Sequence, residues 1–136
     1  MKILKIKTRN REIGDIGEKL AKKYLKKQGY KILETNYVAY NSEIDIIAKN
    51  RTTLAFVEVK TRTQNGTDTA IIRPSVAVTP EKQRKIIKCA KQYASSGFED
   101  LNISLDVIEV LLDASQKPIE INHIVSAFNY NSAKGH

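Results

Sequence analysis

The chain has 136 residues, enough for one domain with a hydrophobic core and too few for two such domains. Its 23 Lys and Arg exceed its 15 Asp and Glu and give a formal net charge of +8. This balance favours a polyanionic partner, with nucleic acid ahead of a membrane surface or an acidic protein, although a lysine-rich surface that only aids solubility is the alternative.

The remaining composition excludes several other classes of protein. Cys89 is the only cysteine, so neither an internal disulfide nor a thiolate metal cluster can form, and its apolar helical surroundings favour a buried structural thiol. No stretch is apolar enough to cross a membrane, and the N-terminus lacks the apolar run of a signal peptide. We therefore expect a cytoplasmic protein that does not enter a membrane.

No repeat or low-complexity block divides the chain, so we predict a single domain over residues 1–136. Residues 1–12 are predicted as a basic N-terminal arm or short strand, and residues 129–136 as a flexible tail. From Ile13, apolar residues recur at steps of three and four, which predicts a helix. Gly29 is its stop signal, because glycine accepts the left-handed turn past a helix end.

Three predicted strands follow the first helix, at residues 30–40, 43–49 and 54–61. Residues 63–78 mix turn signals with short apolar pieces and receive no assignment. Thr79 is then the predicted N-cap of a second helix that ends near Gly97. The last two predicted strands are "NISLDVIEVLL" and "PIEINHIVSAF". The order α-β-β-β-α-β-β predicts an α/β domain with a mixed central sheet flanked by helices.

Charged side chains interrupt the second and third strands at every second position. A four-residue turn at 50–53 would pair Lys49 with Leu54 and bring the charged faces of both strands together. A two-residue turn would shift the partners but keep the two faces together, whereas a turn with an odd number of residues would separate them. The pairs that the four-residue turn predicts are Asp45 opposite Glu58 and Glu43 opposite Lys60.

Two facing carboxylates would destabilise a sheet unless a proton or a divalent cation lies between them. Carboxylate oxygens with several waters suit Mg²⁺, and no cluster of His or Cys supports a zinc site. Alternating charge is also typical of an ordinary solvated sheet face. Ile47 and Phe56 argue against that alternative, because they lie on the charged face and indicate that it is partly covered.

Polar residues of both predicted helices extend this candidate site. Glu18 lies at the edge of the apolar stripe of the first helix, from which it could reach a cleft at the sheet. Lys82 and Gln83 lie in the inward stripe of the second helix within its first turn, where a positive helix end suits a bound phosphate. The alternative is that all three are boundary residues whose stems pack while their polar groups reach water.

An ordered set of motifs over residues 14 to about 128 resembles the YraN-like family, UPF0102. The motifs are "GEKLAKKYLKKQGYKIL", "SEIDIIA", "FVEVKTR", "VTPEKQRKI", "LDVIEV" and "HIVSAF". That family in turn resembles archaeal Holliday-junction resolvases and, more distantly, restriction endonucleases, the PD-(D/E)xK nucleases. The resemblance implies a restriction-endonuclease-like three-layer fold.

The resemblance also assigns roles to the charged residues. Glu18, Asp45, Glu58 and Lys60 match catalytic positions, and Asp45, Glu58 and Glu43 match the acids that bind the metal, helped by the carbonyl of Val59. The sequence departs from the family pattern in two places. Ser42 stands where glycine is usual, and the aromatic-glycine element after the third strand is absent, which leaves the substrate open.

We therefore predict an endonuclease dependent on Mg²⁺ or Mn²⁺ that acts on DNA ahead of RNA, with branched or junction DNA among its candidate substrates. Arg62, Lys82 and Gln83 are predicted to bind backbone phosphates, and the resolvase resemblance raises a homodimer as an alternative to a monomer. A nucleic-acid-binding module without cleavage and a protein that binds an acidic partner protein are the other hypotheses.

Other side chains in these motifs have structural interpretations. His123 matches a family position but is interpreted as a structural residue at a strand end, and Asp106 either joins a network behind the site or is a charge on an edge strand. Tyr24 and Tyr93 lie in apolar helical stripes and are predicted to belong to the core.

Overall fold

The computed structural model describes residues 2–64 and 79–128, and it describes side chains from residue 11 onward. Within these ranges the elements follow the predicted order, α-β-β-β-α-β-β. They are α1 (Lys2–Lys27), β1 (Lys31–Ala39), β2 (Ser42–Lys49), β3 (Thr53–Thr63), α2 (Pro80–Ala94), β4 (Asn102–Leu112) and β5 (Pro118–Ile124). Neither helix is both long and apolar enough to cross a membrane.

The first helix begins well before the predicted position. Residues 2–12, predicted as a basic arm or short strand, are helical and continue into α1, so that prediction was wrong. Alternating apolar and basic residues suggested a strand, but Lys, Arg and Leu are all strong helix formers. Most of the unassigned segment 63–78 and the whole predicted tail 129–136 lie outside the described residues.

Both predicted helix boundaries near Gly29 and Thr79 are confirmed. Gly29 has φ +94°, and the amide of Tyr30 donates to the carbonyl of Leu25 at 2.9 Å, the closing hydrogen bond of a glycine-terminated helix. At the start of α2, Thr79 Oγ1 accepts a hydrogen bond from the amide of Lys82 at 3.2 Å. Local side-chain chemistry therefore fixes where α1 ends and where α2 begins.

The strands form one mixed sheet in the order β1-β2-β3-β4-β5. Neighbours are antiparallel except β3 and β4, which are parallel. The chain between them includes α2, as a parallel connection requires. The predicted mixed sheet is confirmed.

The sheet buries an apolar cluster on each face, and each cluster includes residues of a different helix. The α2 cluster contains Ile86, Ile87, Cys89, Ala90 and Ala94 with sheet residues that include Ile44, Ile47, Phe56 and Leu105. The α1 cluster contains Ala21 and Leu25 with sheet residues that include Ile46, Val57, Ile108 and Val110. The two helices therefore cover opposite faces, which gives three layers, and Cys89 is buried as predicted.

The turn between β2 and β3 has the register of the four-residue alternative, because Lys49 pairs with Leu54. The pairing continues only as far as Ile46 with Val57, so the predicted facing pairs, Asp45 with Glu58 and Glu43 with Lys60, do not belong to the ladder. The reason lies in β2 itself. Ile44 packs in the α2 cluster and Ile46 in the α1 cluster, although residues two apart in a regular strand share a face. The alternation is interrupted at Asp45, where β2 leaves β3.

Helix α1 approaches β3 very closely at Gly17, which is buried. A Cβ atom at Gly17 would lie only 2.8 Å from both Cβ and Cγ2 of Thr61, and nearer still to its hydroxyl oxygen. Gly14 lies one turn earlier in α1 with no atom within 4 Å of such a Cβ. The absence of a side chain at Gly17 thus sets the distance between α1 and the sheet.

Gly17→Ala is expected to lower the free energy of unfolding by roughly 1–3 kcal/mol, because α1 must move away from β3 to admit the methyl group. Gly14→Ala is the matched control and should raise it by about 0.5–1 kcal/mol, since alanine is the better helix former. Urea denaturation measures both values. Equal effects at the two positions would contradict the close contact.

Candidate active site

Asp45 lies at the point where β2 and β3 separate. Its Oδ2 accepts a hydrogen bond from the backbone amide of Val59 at 2.8 Å. Val59 lies beyond the last pair of the β2–β3 ladder, so its amide has no partner on the backbone of β2. The carboxylate takes the place of that partner and is thereby directed toward β3.

The surroundings of Asp45 disfavour its negative charge. Burial is the largest cause, and together with the nearby carboxylates of Glu58, Glu18 and Glu43 it raises the pKa of Asp45 to about 6, while the hydrogen bond from Val59 acts in the opposite direction. Four acidic side chains therefore interact electrostatically at one place, as the sequence analysis expected for Glu58 and Glu43.

Glu58 lies on β3 with only 13% of its side chain exposed. Its Oε1 contacts Nζ of Lys82, which belongs to the first turn of α2. Nζ of Lys60 lies 3.9 Å from Oε2, which is buried and accepts no hydrogen bond from the described part of the chain. Two ammonium groups thus neutralise one carboxylate that keeps an unused oxygen.

Two clefts meet at this point. The α2-side cleft, of about 430 Å³, is lined by Asn41, Ser42, Glu43, Asp45, Glu58, Thr79, Glu81, Lys82 and Lys85. The α1-side cleft, of about 600 Å³, is lined by Arg11, Ile13, Gly14, Asp15, Glu18, Asn36, Glu43, Asp45, Val59, Thr61 and Thr63. Glu43 and Asp45 line both clefts and form their common wall.

Glu18 reaches the sheet from α1, as expected, and lines the α1-side cleft. It accepts a hydrogen bond from Nδ2 of Asn36 at 3.0 Å, and burial raises its pKa. Asn36 was not predicted as a site residue from the sequence. The available signal was an asparagine inside a predicted strand, since Asn36 has φ +51°, a conformation that asparagine tolerates better than most residues.

The predicted phosphate-binding residues are not all brought to the clefts. Lys82 lines the α2-side cleft. Arg62 is exposed on β3, and the backbone amide of Gln83 donates to the carbonyl of Thr79 at 2.8 Å as part of the helix start. Neither Arg62 nor Gln83 lines either of the two clefts.

Asp106 and His123 form a buried pair that lines neither of the two clefts. Nε2 of His123 lies 2.8 Å from Oδ2 of Asp106, and their side chains are 6% and 0% exposed. Asp106 belongs to β4, which lies between β3 and β5, so the edge-strand interpretation was wrong. The amide of Ser126 donates to Asp106 Oδ1 at 3.0 Å, so the pair ties the end of β5 to β4.

The two predicted core tyrosines pack against apolar clusters. Tyr24 contacts the ring of His123 edge-on, with ring centres 5.5 Å apart. Tyr93 stacks on Phe98 and donates its hydroxyl to Glu34 at 3.2 Å. Burial and the Glu34 charge raise the pKa of Tyr93 to about 12. Both tyrosines therefore have structural roles.

The described residues contain no group of three or more His, Cys, Asp or Glu side chains arranged to hold a metal ion. Glu43 is exposed and shares the cleft wall with Asp45 without joining such a group. A site at this position would use two carboxylates, with further ligands from backbone, water or substrate.

The fold and the site define a three-layer α/β protein with an acidic cleft at the point where two central strands diverge. The chain belongs to the uncharacterised protein family UPF0102, whose model matches residues 17–110. The family resemblance inferred from the sequence is confirmed.

Similar proteins span nearly the whole chain. The UPF0102 protein of Alkaliphilus oremlandii is 47% identical over 122 residues, which cover 88% of this chain and 99% of the relative. That of Caldanaerobacter subterraneus subsp. tengcongensis is 44% identical over 124 residues, covering 90% and 98%. That of Clostridium beijerinckii is 43% identical over 123 residues, covering 90% and 97%.

Asp45→Asn is expected to flatten the dependence of stability on pH in metal-free buffer. Because the pKa of Asp45 is raised in the folded protein, its stabilising contribution is complete below the ordinary pKa of aspartate and is lost as the pH rises through about 6. The variant should be more stable than the parent by roughly 1–3 kcal/mol at about pH 8 and nearly equal at about pH 4.

Urea denaturation across this pH range is the measurement. Asp100→Asn is the matched control, because Asp100 is an exposed aspartate in the turn after α2. If the parent loses no stability relative to Asp45→Asn between about pH 4 and about pH 8, the surroundings of Asp45 do not disfavour its negative charge.

Proposed function

We propose that this protein is a Mg²⁺-dependent nuclease that hydrolyses phosphodiester bonds in DNA; the resolvase resemblance adds branched or junction DNA as a candidate substrate. The observation that carries the proposal is that Asp45 and Glu58 line one cleft with Lys60 beside Glu58. Two acids and a lysine in this arrangement correspond to the residues that the PD-(D/E)xK resemblance assigns to catalysis.

The donor set fits a magnesium ion. Asp45 and Glu58 would bind it with the carbonyl of Val59, and Mg²⁺ is commonly held by one or two carboxylates together with water and substrate phosphates. Two observations support this fit. Burial and, to a smaller extent, the neighbouring carboxylates raise the pKa of Asp45, so a bound cation would stabilise its ionised form, and Glu58 Oε2 is buried without a hydrogen bond from the described residues. When bound, the ion would supply charge neutralisation at the phosphoryl oxygens and a lowered pKa for water.

The remaining side chains would position the substrate and stabilise charge. The Lys60 ammonium, 3.9 Å from Glu58, would lie beside the phosphate and stabilise its growing negative charge or accept a proton from the attacking water. Glu18 would orient the site from the α1 side through Asn36. The net charge of +8 would supply affinity for the DNA backbone that is independent of sequence and weakened by salt.

A nucleic-acid-binding module without catalysis is the second candidate. One observation favours it: the contact between Lys82 and Glu58 neutralises Glu58 without a metal, and no group of three or more metal-binding side chains occurs in the described ranges. Such a module would bind DNA equally well with or without a divalent ion, and would bind it unchanged after loss of the Asp45 carboxylate.

We expect the purified protein to cleave branched, flap or plain duplex DNA in the presence of Mg²⁺ or Mn²⁺ and not with EDTA. Asp45→Asn and Lys60→Met should each lower the cleavage rate by at least about a hundredfold, because the first would weaken binding of the metal ion and the second would remove a positive charge beside the reacting phosphate. Product formation on labelled substrates, separated on denaturing gels, measures the rates.

The matched controls are Asp100→Asn and Lys117→Met, which remove the same charges from exposed turns away from the clefts and should leave cleavage unchanged. Cleavage that persists in Asp45→Asn would remove this site from the reaction. DNA binding without cleavage, equal in the parent protein and in Asp45→Asn, would favour the binding module.

A further inference from the structure

Lys82 joins a fixed point of the helix to the α2-side cleft through a long side chain. Its backbone amide is bonded to the N-cap Thr79 at 3.2 Å, so the base of the side chain is held in the first turn of α2. Its ammonium contacts Glu58 Oε1, and its side chain is 40% exposed. A lysine stem of this kind can move its ammonium into the cleft while the helix stays in place.

Glu58 requires a positive partner because it is largely buried, with 13% of its side chain exposed. Lys82 contacts Oε1 directly, whereas the Lys60 ammonium, at 3.9 Å from Oε2, lies beyond hydrogen-bonding distance. A divalent ion at the unused Oε2 would repel both ammonium groups and draw on the charge of the same carboxylate, so the contact that it would weaken most is that of Lys82 with Oε1.

We infer that Lys82 is a resident counter-cation that a divalent metal ion displaces from Glu58, and that its released ammonium then binds a phosphate of the nucleic acid in the same cleft. The inference rests on the proposed function, because it requires a metal at Glu58 and a phosphate-bearing ligand. In the absence of the ion, Lys82 satisfies Glu58 and is withheld from substrate.

Displacement of Lys82 from Glu58 couples binding of the metal ion to binding of the phosphate. A metal ion that frees Lys82 raises the affinity for phosphate, and thermodynamic linkage requires phosphate to raise the affinity for the metal by the same factor. The protein would then bind DNA productively only when the metal is present. Lys82 is thus a positioning residue, because its ammonium group reaches the substrate phosphate only after a metal ion has bound to Glu58.

The experiment measures Mn²⁺ affinity of the DNA-free protein by isothermal titration calorimetry at low salt. Lys82→Met removes the competing ammonium and should bind Mn²⁺ about tenfold more tightly than the parent, whereas Lys82→Arg keeps the charge and should stay close to it. Lys85→Met is the matched control. Lys85 lines the same cleft but pairs with exposed Glu81 at 3.9 Å, so its loss should change the affinity by less than about twofold.

A second measurement follows a labelled duplex by fluorescence anisotropy in a Lys60→Met background, in which cleavage is slow. Mn²⁺ should increase the duplex affinity more in Lys60→Met than in the double variant that also carries Lys82→Met. Equal increases in the two proteins would overturn the assignment of Lys82 to phosphate.

The outcomes separate this inference from the proposed function. Two outcomes would overturn the exchange and still leave a metal site at Glu58. In the first, Glu58→Gln loses Mn²⁺ binding while Lys82→Met binds Mn²⁺ as the parent does. In the second, Lys82→Met and Lys85→Met tighten Mn²⁺ binding equally. Absence of Mn²⁺ binding in the parent and in Lys82→Met alike would overturn both. Tighter binding in Lys82→Met with no DNA cleavage by any variant would support the exchange and reject the nuclease.

Discussion

The hydrogen bond from the Val59 amide to the Asp45 carboxylate is the contact on which the candidate site depends. It occurs where β2 stops pairing with β3, so a side chain replaces a backbone partner in an otherwise continuous sheet. A buried amide without a partner would be costly, which gives the aspartate a structural reason to be there as well as a chemical one. The same divergence of the strands opens the space that the two clefts occupy.

Charge is distributed unevenly around that contact. The protein is strongly basic as a whole, yet acidic side chains lie together at the cleft walls, where burial first and neighbouring carboxylates second raise the pKa of Asp45 and of Glu18. A local excess of negative charge inside a basic protein is suited to a ligand that contains both a cation and a polyanion. In the proposed function, the cation is the divalent metal ion and the polyanion is the DNA backbone.

Local signals in the sequence predicted much of the fold, and tertiary contacts account for most of what it did not predict. The N-cap Thr79, the terminating Gly29 and the turn that pairs Lys49 with Leu54 depend on neighbouring residues, and all three were predictable. The side-chain partners of Asp45 and Glu58 were not, because they depend on the interrupted alternation of β2 and on where α2 begins in space. Residues 2–12 were not predicted as helix for a different reason. Their alternating apolar and basic residues favour a strand, whereas the helix propensity of Lys, Arg and Leu favours the helix that forms.

The parallel pairing of β3 with β4 joins Thr53 to Asn102, which are 49 positions apart in the chain. During synthesis, β3 is therefore complete long before its partner leaves the ribosome, and one edge of an apolar strand stays open until then. The hairpin that carries Asp45 and Glu58 can form early, but β3 becomes an interior strand of the sheet only when β4 pairs with it. A nascent or truncated chain that ends before Asn102 would thus be prone to self-association through β3.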